Sequence, residues 1–321
     1  MSKNFKIPLS AAFVLLPILF LLLNLQFNSN ENNSIILNDS SNVLLDSLDS
    51  DTLDSDSVIV DTIKNPKPYQ LNRHIENKAF KVGEKLTFDI RYGFLTAGHA
   101  VMAIENLIMV HDSIPAYQIV STAQSTSTFD LFFKVRDRVE SILDTHGIFS
   151  WGFYKSLREG GYKFDLSVDY NQLYGKAYIE MIRYYNDDPL RIKKKEEFEI
   201  NIPEYVIDIL GAFYYVRTQK LRVGEPIYIK NHDNKKIYNL KVIVQKKEKV
   251  KVRAGEFRCI VVQPRLKGDA IFKQKGKLWV WLTDDELKIP VQMKSKAFIG
   301  SVYTELAKIE GVKEPIPARI K

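Results

Sequence analysis

The sequence predicts a mainly β protein, an antiparallel meander curled into a barrel or half-barrel with one amphipathic helix. A hydrophobic N-terminal helix and a disordered tether are expected to precede this body. Residues 162–170 alternate strictly between apolar and polar side chains, the pattern of a strand with one buried and one solvated face. Similar runs recur at regular spacing with turn residues between them, and only residues 203–219 show helical periodicity.

Residues 1–27 carry the features of an export signal or a membrane anchor. Two lysines precede an apolar run over residues 9–23, and the 21 residues of segment 7–27 would span roughly 31 Å as a helix, about one hydrocarbon core. Residues 24–29 contain no small-x-small cleavage site, so we predict an uncleaved anchor, with a cleaved signal as the alternative. The order of charges places the N-terminus in the cytoplasm and the rest of the chain outside.

Residues 28–68 form an acidic segment dominated by Asn, Ser, Asp and Leu. Between residues 28 and 66 there are eight acidic side chains and one basic side chain, Lys64. Such a composition buries too little apolar surface to offset the entropy of ordering, so we predict a disordered linker. Alternatively, its leucines, spaced by three to five residues, would form a short amphipathic helix for a partner. The β-rich extracytoplasmic domain then covers residues 69–321.

The charge of this domain favours anionic partners. Removing the three lysines and eight acids of residues 1–66 from the chain's 46 basic and 39 acidic residues leaves 43 and 31. Lipid head groups, envelope polymers or the protein's own tether are suitable partners, whereas the export signal argues against nucleic acid. Cys259 is the only cysteine, which excludes an intrachain disulfide and a lipidated N-terminus. Its place in an alternating run predicts a small buried core residue.

The strands and the helix follow in a simple order. We predict strands over residues 85–92, 97–106, 116–123, 135–144, 149–157, 162–170, 172–183, 195–202, 237–245, 247–253, 257–263, 275–282 and 290–297. The helix, residues 203–219, is predicted to begin at Pro203 and to cover the sheet with an apolar stripe. Gly211 within it is expected to permit a close approach to the sheet.

A faint internal repeat is also present. Residues 80–84 and 221–225 share the ending Val-Gly-Glu before a strand region, and residues 254–256 echo that ending. We interpret the repeat as one kind of turn used three times in a single domain. Two related β halves, joined near residues 203–220, are the alternative.

Motifs for known chemistry are missing from the sequence. It contains no glycine-rich phosphate loop, no pair of histidines at helical spacing and no Gly-x-Ser-x-Gly elbow. We therefore predict neither a cofactor nor a metal site, and we predict that the protein is not an enzyme.

Two groups of charged residues remain as candidates. Arg136, Asp137, Arg138 and Glu140 are expected to form an ion-pair lattice on a sheet face, with acid–base chemistry by the two carboxylates as the alternative. Glu159 and Asp165 flank a predicted hairpin turn at residues 160–161. Paired carboxylates of this kind can cleave a glycosidic bond.

The third candidate is an aromatic cluster just after Ser127. Phe129, Phe132 and Phe133 would form either an apolar lid over a ligand cavity or a helical turn that seals the end of the barrel. Ser127 and Asp130 resemble a capping box for such a turn. Together with Arg136 and Arg138, the three phenylalanines are the predicted ligand-binding residues.

Several segments together resemble domain-of-unknown-function family 3108, a family of exported bacterial proteins. The resemblance runs from about residue 80 to residue 311 in consistent order, and its segments are residues 80–88, 93–98, 135–138, 159–161, 257–259, 278–285 and 289–291. It implies an envelope protein rich in antiparallel β structure, commonly found in Bacteroidetes-type bacteria. It implies no established activity, so no catalytic residue is carried over from it.

The sequence thus predicts a non-enzymatic protein of the cell envelope that binds an apolar or amphiphilic, lipid-like component. We expect it on the periplasmic side of the inner membrane, attached through its N-terminal segment, or free in the periplasm if that segment is cleaved. A glycan-acting enzyme that uses Glu159 with Asp165 or Asp137 is one alternative. A scaffold whose tether reaches a partner complex is the other.

Overall fold

The computed structural model describes residues 68–266, 278–296 and 300–320. The predicted anchor and the predicted linker up to residue 67 lie outside the described residues. Within the described part of the chain, no helix is both long enough and apolar enough to cross a membrane.

The described residues form one antiparallel sheet with two helices. In chain order the strands are β1 Lys85–Tyr92, β2 Leu95–Val110, β3 Ile114–Ser125, β4 Arg136–Asp144, β5 Ser150–Glu159, β6 Tyr162–Asn171, β7 Lys176–Tyr184, β8 Ile192–Asn201, β9 Pro226–Asp233, β10 Lys236–Val252, β11 Gly255–Leu266, β12 Leu278–Thr283, β13 Pro290–Lys296, β14 Ser301–Glu310 and β15 Arg319–Ile320. The helices are α1 Ser127–Asp130 and α2 Ile209–Thr218.

The order of the strands in the sheet joins two meanders. Strands β1 to β8 pair in sequence, β9 to β14 pair in sequence, and β1 pairs with β14 where the two runs meet. The short β15 pairs with β11. The curled antiparallel sheet that the alternating pattern predicted is therefore confirmed.

The first three strands of the two meanders, β1–β3 and β9–β11, form two units that are built alike. Each unit opens with the same turn, in which Gly83 and Gly224 have φ angles of +90° and +89°. The N–H groups of Glu84 and Glu225 donate to the carbonyl oxygens three residues earlier, as in a type II turn. Such a turn needs a positive φ at its third residue, which explains the glycine in both places.

The hairpins that follow these turns also correspond. Their connections have two residues each, Gly93 and Phe94 in the first unit and Asn234 and Lys235 in the second. The register between β2 and β3 shifts just after Ile104, and that between β10 and β11 shifts just after Val244. The faint sequence repeat therefore marks the same turn at its first two occurrences, with a similar hairpin after each. The third occurrence of the sequence pattern, at residues 254–256, has a different backbone conformation, because the φ angle of Gly255 is +136°.

Helix α2 begins later than predicted, and Pro203 is not part of it. Asp208 is its N-cap, and the Asp208 side chain accepts a hydrogen bond from the Gly211 N–H. The residue before the cap, Ile207, forms a parallel bridge with Asn231 of β9, which requires extended backbone. The close approach predicted at Gly211 is confirmed, since a Cβ there would lie 2.8 Å from Cδ1 of Leu143 in β4.

Helix α1 is a single turn whose cap differs from the prediction. Its N-cap is Thr126, which accepts from the Phe129 N–H, so Ser127 lies inside the helix. Asp130 does not act as the second half of a capping box, because its carboxylate pairs with Arg136.

Apolar side chains from both meanders and from α2 form one continuous core. Cys259 belongs to it and is buried, as predicted, and burial raises the pKa of its thiol to about 12. The inward side chains of the N-terminal meander also include charged residues, which together with α2 define the candidate site.

Candidate functional site

An apolar cleft lies between helix α2 and strands β10, β11 and β12. Its volume is about 50 Å³. Every side chain that lines it is apolar; they are Ile209, Ala212, Phe213, Val216, Leu240, Val242, Val262, Pro264, Leu278, Val280 and Leu282. Because no polar side chain among the described residues lines the cleft, this part of it suits a hydrocarbon group.

The N-terminal end of α2 is fixed to β4 and β5. The buried Asp208 carboxylate accepts hydrogen bonds from Ser141 Oγ at 2.6 Å and from Ser150 Oγ at 2.5 Å. The Ser150 hydroxyl in turn accepts from the Asp208 N–H at 2.8 Å. Burial raises the pKa of Asp208, and its hydrogen-bond donors oppose that rise. This network specifies where the helix starts.

The C-terminal end of α2 is fixed by a buried ion pair. The Arg217 guanidinium donates to both carboxylate oxygens of Glu84, at 2.6 and 2.8 Å. Its remaining hydrogen bonds go to the carbonyl oxygens of Ala79 and Leu287. Glu84 stands directly before β1, so the contact joins residues 133 positions apart in the chain.

These attachments leave one side of the helix without polar contacts. The ends of α2 are attached to β4, β5, the segment before β1 and Leu287. Toward β10, β11 and β12 the helix presents Ile209, Ala212, Phe213 and Val216, which line the cleft. The contact across the cleft is therefore made by apolar groups.

A group of buried charged residues occupies the inner face of the N-terminal meander. Lys155 of β5 has a fully buried side chain, and its Nζ lies 3.9 Å from Oδ1 of Asp233 at the end of β9. The Lys155 Nζ makes no hydrogen bond to the described residues. Next to Asp233, the Nδ1 of His232 and the hydroxyl of Tyr170 in β6 are 2.8 Å apart.

Asp137 and Glu159 belong to the same buried group. Asp137 of β4 is 4% exposed and Glu159 of β5 is 7% exposed, and their carboxyl groups are close enough to share a proton. Asp137 also accepts from the Arg158 N–H at 2.8 Å. Burial is the main reason that the pKa of Glu159 rises to about 9, with the Asp137 charge adding to it.

Burial also displaces the pKa values of the other members. It raises the pKa of Asp137 and that of Asp233 to about 6. The pKa of His232 falls to about 4, and the pKa of Lys155 is lowered, with Asp233 opposing that change. At neutral pH, Glu159 and His232 are therefore neutral, whereas Asp233 is mostly ionised beside Lys155.

The carboxylates proposed for glycan chemistry do not meet in one open cleft. Asp137 and Glu159 lie together inside the sheet. Asp165 is on its outer face, where the Arg158 guanidinium donates to both carboxylate oxygens at 2.7 and 3.0 Å. Strand alternation explains the separation, because Asp165 and the inward-facing Phe164 and Leu166 occupy opposite faces of β6.

The five predicted ligand-binding residues lie together at one end of the N-terminal meander, and none of them lines the apolar cleft. Phe129 and Phe133 are half-buried against the core, whereas Phe132 is exposed. Arg136 pairs with Asp130, and Arg138 donates to Glu140 at 3.0 Å on the outer face. The predicted ion-pair lattice thus contains Arg138 and Glu140 but not Asp137, which faces inward. A role in ligand binding for these five residues stays a prediction.

Sequence reasoning missed both the cleft and the central residues of the buried group. The sequence pattern could have predicted that Lys155 is buried. It stands between Phe153 and Leu157 at alternate positions of β5, all of which face inward. Asp233 carries no such signal, since His232, Asp233 and Asn234 together have the composition of a turn. The turn lies at Asn234 and Lys235. Among the described residues, no group of three or more His, Cys, Asp or Glu side chains is placed to hold a metal ion.

Comparison with known proteins identifies one family and several similar folds. The family described as "Protein of unknown function (DUF3108)" matches residues 87–307. No curated protein matches the chain.

Three solved structures are similar at low sequence identity. A beta-barrel-like protein of domain of unknown function DUF1849 from Brucella abortus has 9% identity and a TM-score of 0.43, and the match covers 74% of this chain and 98% of that one. A Bacteroides fragilis NCTC 9343 protein described as exported, with a YmcC-like fold, has 10% identity, a TM-score of 0.32, and coverage of 74% and 98%. A Parabacteroides distasonis ATCC 8503 protein described as a lipoprotein has 10% identity, a TM-score of 0.28, and coverage of 74% and 99%.

Proposed function

We propose that this chain, which belongs to the DUF3108 family of proteins of unknown function, binds the hydrocarbon part of a lipid-like molecule between α2 and strands β10–β12. The matched residues 87–307 fall within the stretch over which the sequence motifs resembled this family, so the resemblance is confirmed. The observation that carries the proposal is the cleft that only apolar side chains line, as far as the structure describes the chain.

The way α2 is attached supports this proposal. A cavity volume of about 50 Å³ is small for an acyl chain, so binding requires the helix and the sheet to move apart. Asp208 and Arg217 fix the ends of the helix, while its contact with β10–β12 is apolar only. Opening therefore exposes hydrocarbon surface and no unpaired polar group, and an entering acyl chain covers that surface again.

The proposed role is binding without catalysis, in the cell envelope. The charged groups with displaced pKa values are buried among core residues of the N-terminal meander, and none of them lines the cleft. The envelope location rests on the lysines and the apolar run of residues 1–27, which the sequence predicts to export or anchor the chain.

A titration of the full-length protein with a fluorescent fatty acid, dansyl-undecanoic acid, tests this proposal. Ala212 is a small residue of the cleft, so Ala212→Leu fills the space with hydrocarbon. We expect the variant to stay folded and to bind the probe at least about tenfold more weakly than the wild type, a loss of about 1.4 kcal/mol.

Thr218→Leu, at the end of the same helix and outside the cleft, is the matched control and should bind the probe as the wild type does. Unchanged probe affinity in a folded Ala212→Leu variant would contradict the assignment of the cleft.

A further inference from the structure

Four exposed apolar side chains lie at one end of the sheet. Phe94 and Leu95, at the turn between β1 and β2, are 86% and 47% exposed, and Leu131 and Phe132, directly after α1, are 82% and 71% exposed. We call these four residues the apolar rim. In the antiparallel order of the sheet, the end of β1, the start of β2 and the end of β3 all lie at this end.

The two parts of the rim are held close together. Gly98 of β2 pairs with Ser125 of β3, and the Thr126 N–H donates to the Ala97 carbonyl oxygen at 3.0 Å. Helix α1 therefore starts beside the first residues of β2, a few residues from Phe94. Large apolar groups that are this exposed and this close form a patch of the kind that marks an interaction surface.

The turn between β1 and β2 does not itself require an aromatic residue. The corresponding hairpin of the second unit, between β9 and β10, has Asn234 and Lys235 at its two turn positions. The hairpin of the first unit, between β1 and β2, has Gly93 and Phe94 there. In both turns the first residue has a positive φ angle, +59° at Gly93 and +51° at Asn234. The same backbone is thus built with polar residues elsewhere in this molecule.

The segment after α1 is braced so that its apolar side chains point outward. Phe133 packs against Gly160, where a Cβ would lie 2.6 Å from the Phe133 ring. The Gly160 N–H also donates to the Lys134 carbonyl oxygen at 2.8 Å. Asp130 is fixed by Arg136 and by the Ser125 hydroxyl. Leu131 and Phe132, between these anchors, remain on the surface.

Positive charge lies next to the rim. Lys134 lies two residues after Phe132 and is exposed, and Lys163 lies just beyond the adjoining β5–β6 turn. Neither lysine has an ion-pair partner among the described residues. The two are close enough for Lys134 to lower the pKa of Lys163, although burial is the larger cause. The charge of Arg136, by contrast, is balanced by Asp130.

We infer that the apolar rim inserts into the surface of a lipid bilayer that contains anionic lipids, with Lys134 and Lys163 at the level of the head groups. Apolar side chains on short protruding segments enter the acyl region, and neighbouring lysines gain from the negative surface potential. A second copy of the chain would suit the apolar groups but not the like charges beside them. This inference does not depend on a ligand in the cleft.

The test places an environment-sensitive nitrobenzoxadiazole probe at single positions of the full-length protein. Phe132→Cys labels the rim, and Met109→Cys is the matched control, because Met109 is 63% exposed near the β2–β3 turn at the opposite end of the sheet. Cys259 is buried and its thiol has a raised pKa, so it should not react with the label.

On vesicles of phosphatidylglycerol and phosphatidylethanolamine, we expect the probe at position 132 to shift to shorter wavelength and to brighten at least about twofold. The probe at position 109 should not change. Phosphatidylcholine vesicles should give a weaker response, since the lysines then lose their partners. Phe94→Ser together with Leu131→Ser should reduce the shift at position 132, and because both side chains are exposed the fold should persist.

Three results would overturn the inference. The first is a probe at position 132 that stays in water on anionic vesicles, or that changes no more than the one at position 109. The second is an equal response to phosphatidylcholine, which would remove the role of anionic lipid. The third is a shift without vesicles that grows with protein concentration, which would assign the rim to a second copy.

Discussion

At the residue scale, the buried charged group of the N-terminal meander sets how stability depends on pH. Glu159 is protonated at neutral pH because burial and the neighbouring Asp137 raise its pKa to about 9. The charge of Lys155, whose Nζ lies 3.9 Å from Oδ1 of Asp233, opposes this rise at Glu159. In the folded protein Glu159 therefore keeps a proton that it loses in the unfolded chain between the ordinary pKa of a glutamate and pH 9.

The stability that Glu159 contributes should consequently fall as the pH rises from 5 to 9. A carboxyl group whose pKa is raised by folding contributes most below its unfolded pKa, and that contribution is lost as the pH approaches its folded pKa. Glu159→Gln removes the titration, so the free energy of unfolding should depend less on pH, by on the order of a few kcal/mol over this range. Denaturant unfolding of the wild type and of Glu159→Gln at pH 5, 7 and 9 measures this pH dependence.

Asp137 and Asp233 keep part of the pH dependence in this variant, because the pKa of each is raised to about 6. Glu199→Gln, an exposed carboxylate of β8, is the control and should behave like the wild type. A Glu159→Gln variant with the full wild-type pH dependence would show that Glu159 is ionised in the folded protein.

At the element scale, helix α2 depends on its two polar attachments because its remaining contacts are apolar. Glu84→Gln leaves the buried Arg217 guanidinium without its carboxylate, and breaking a buried ion pair costs roughly 3–5 kcal/mol. We expect denaturant titrations to show that loss of unfolding free energy, because the C-terminal end of α2 loses its ion pair with Glu84.

The internal repeat supplies the control for this variant. Glu225 stands at the same position of the second type II turn, but it is exposed and its carboxylate is 3.5 Å from Arg222. Glu225→Gln should therefore change stability little, since exposed ion pairs contribute little. Equal losses in the two variants would contradict the anchoring role of Glu84.

The elements themselves were predictable where the pattern is regular. Strand β1 was predicted with the bounds it has, and β6 to within one residue, because apolar and polar side chains alternate there without exception. Strand β10 was predicted as two strands separated at Lys246. The structure has one continuous strand there, with a β-bulge after Val244. The bulge breaks the two-residue period of the side chains without ending the strand.

Other elements were missed for reasons of tertiary context. Strand β9 begins with Pro226 and ends in His232 and Asp233, residues typical of loops, and its polar side chains are buried only because β5 and β6 lie opposite. Strand β14 has Thr304 between Val302 and Leu306 on its buried face, which hides the apolar period. Such burial depends on partners distant in sequence.

At the scale of the whole molecule, the cleft and the apolar rim occur at the same end of the sheet. Pro264 lies near the end of β11 and Leu278 at the start of β12, and antiparallel order brings both to the end where Phe94 and Phe132 lie. A molecule docked through the rim would bring the cleft close to the bilayer. The sequence indicated only Phe132 of the rim and nothing of the cleft, because each feature is assembled from strands whose neighbours in the sheet the sequence pattern does not reveal.

The most direct measurement of the central claim is native mass spectrometry of the full-length protein isolated from its own membranes. The account predicts a bound amphiphile that is retained in the wild type and in Thr218→Leu and is lost from Ala212→Leu. A wild-type protein that carries no ligand, or a ligand retained equally in all three proteins, would contradict it.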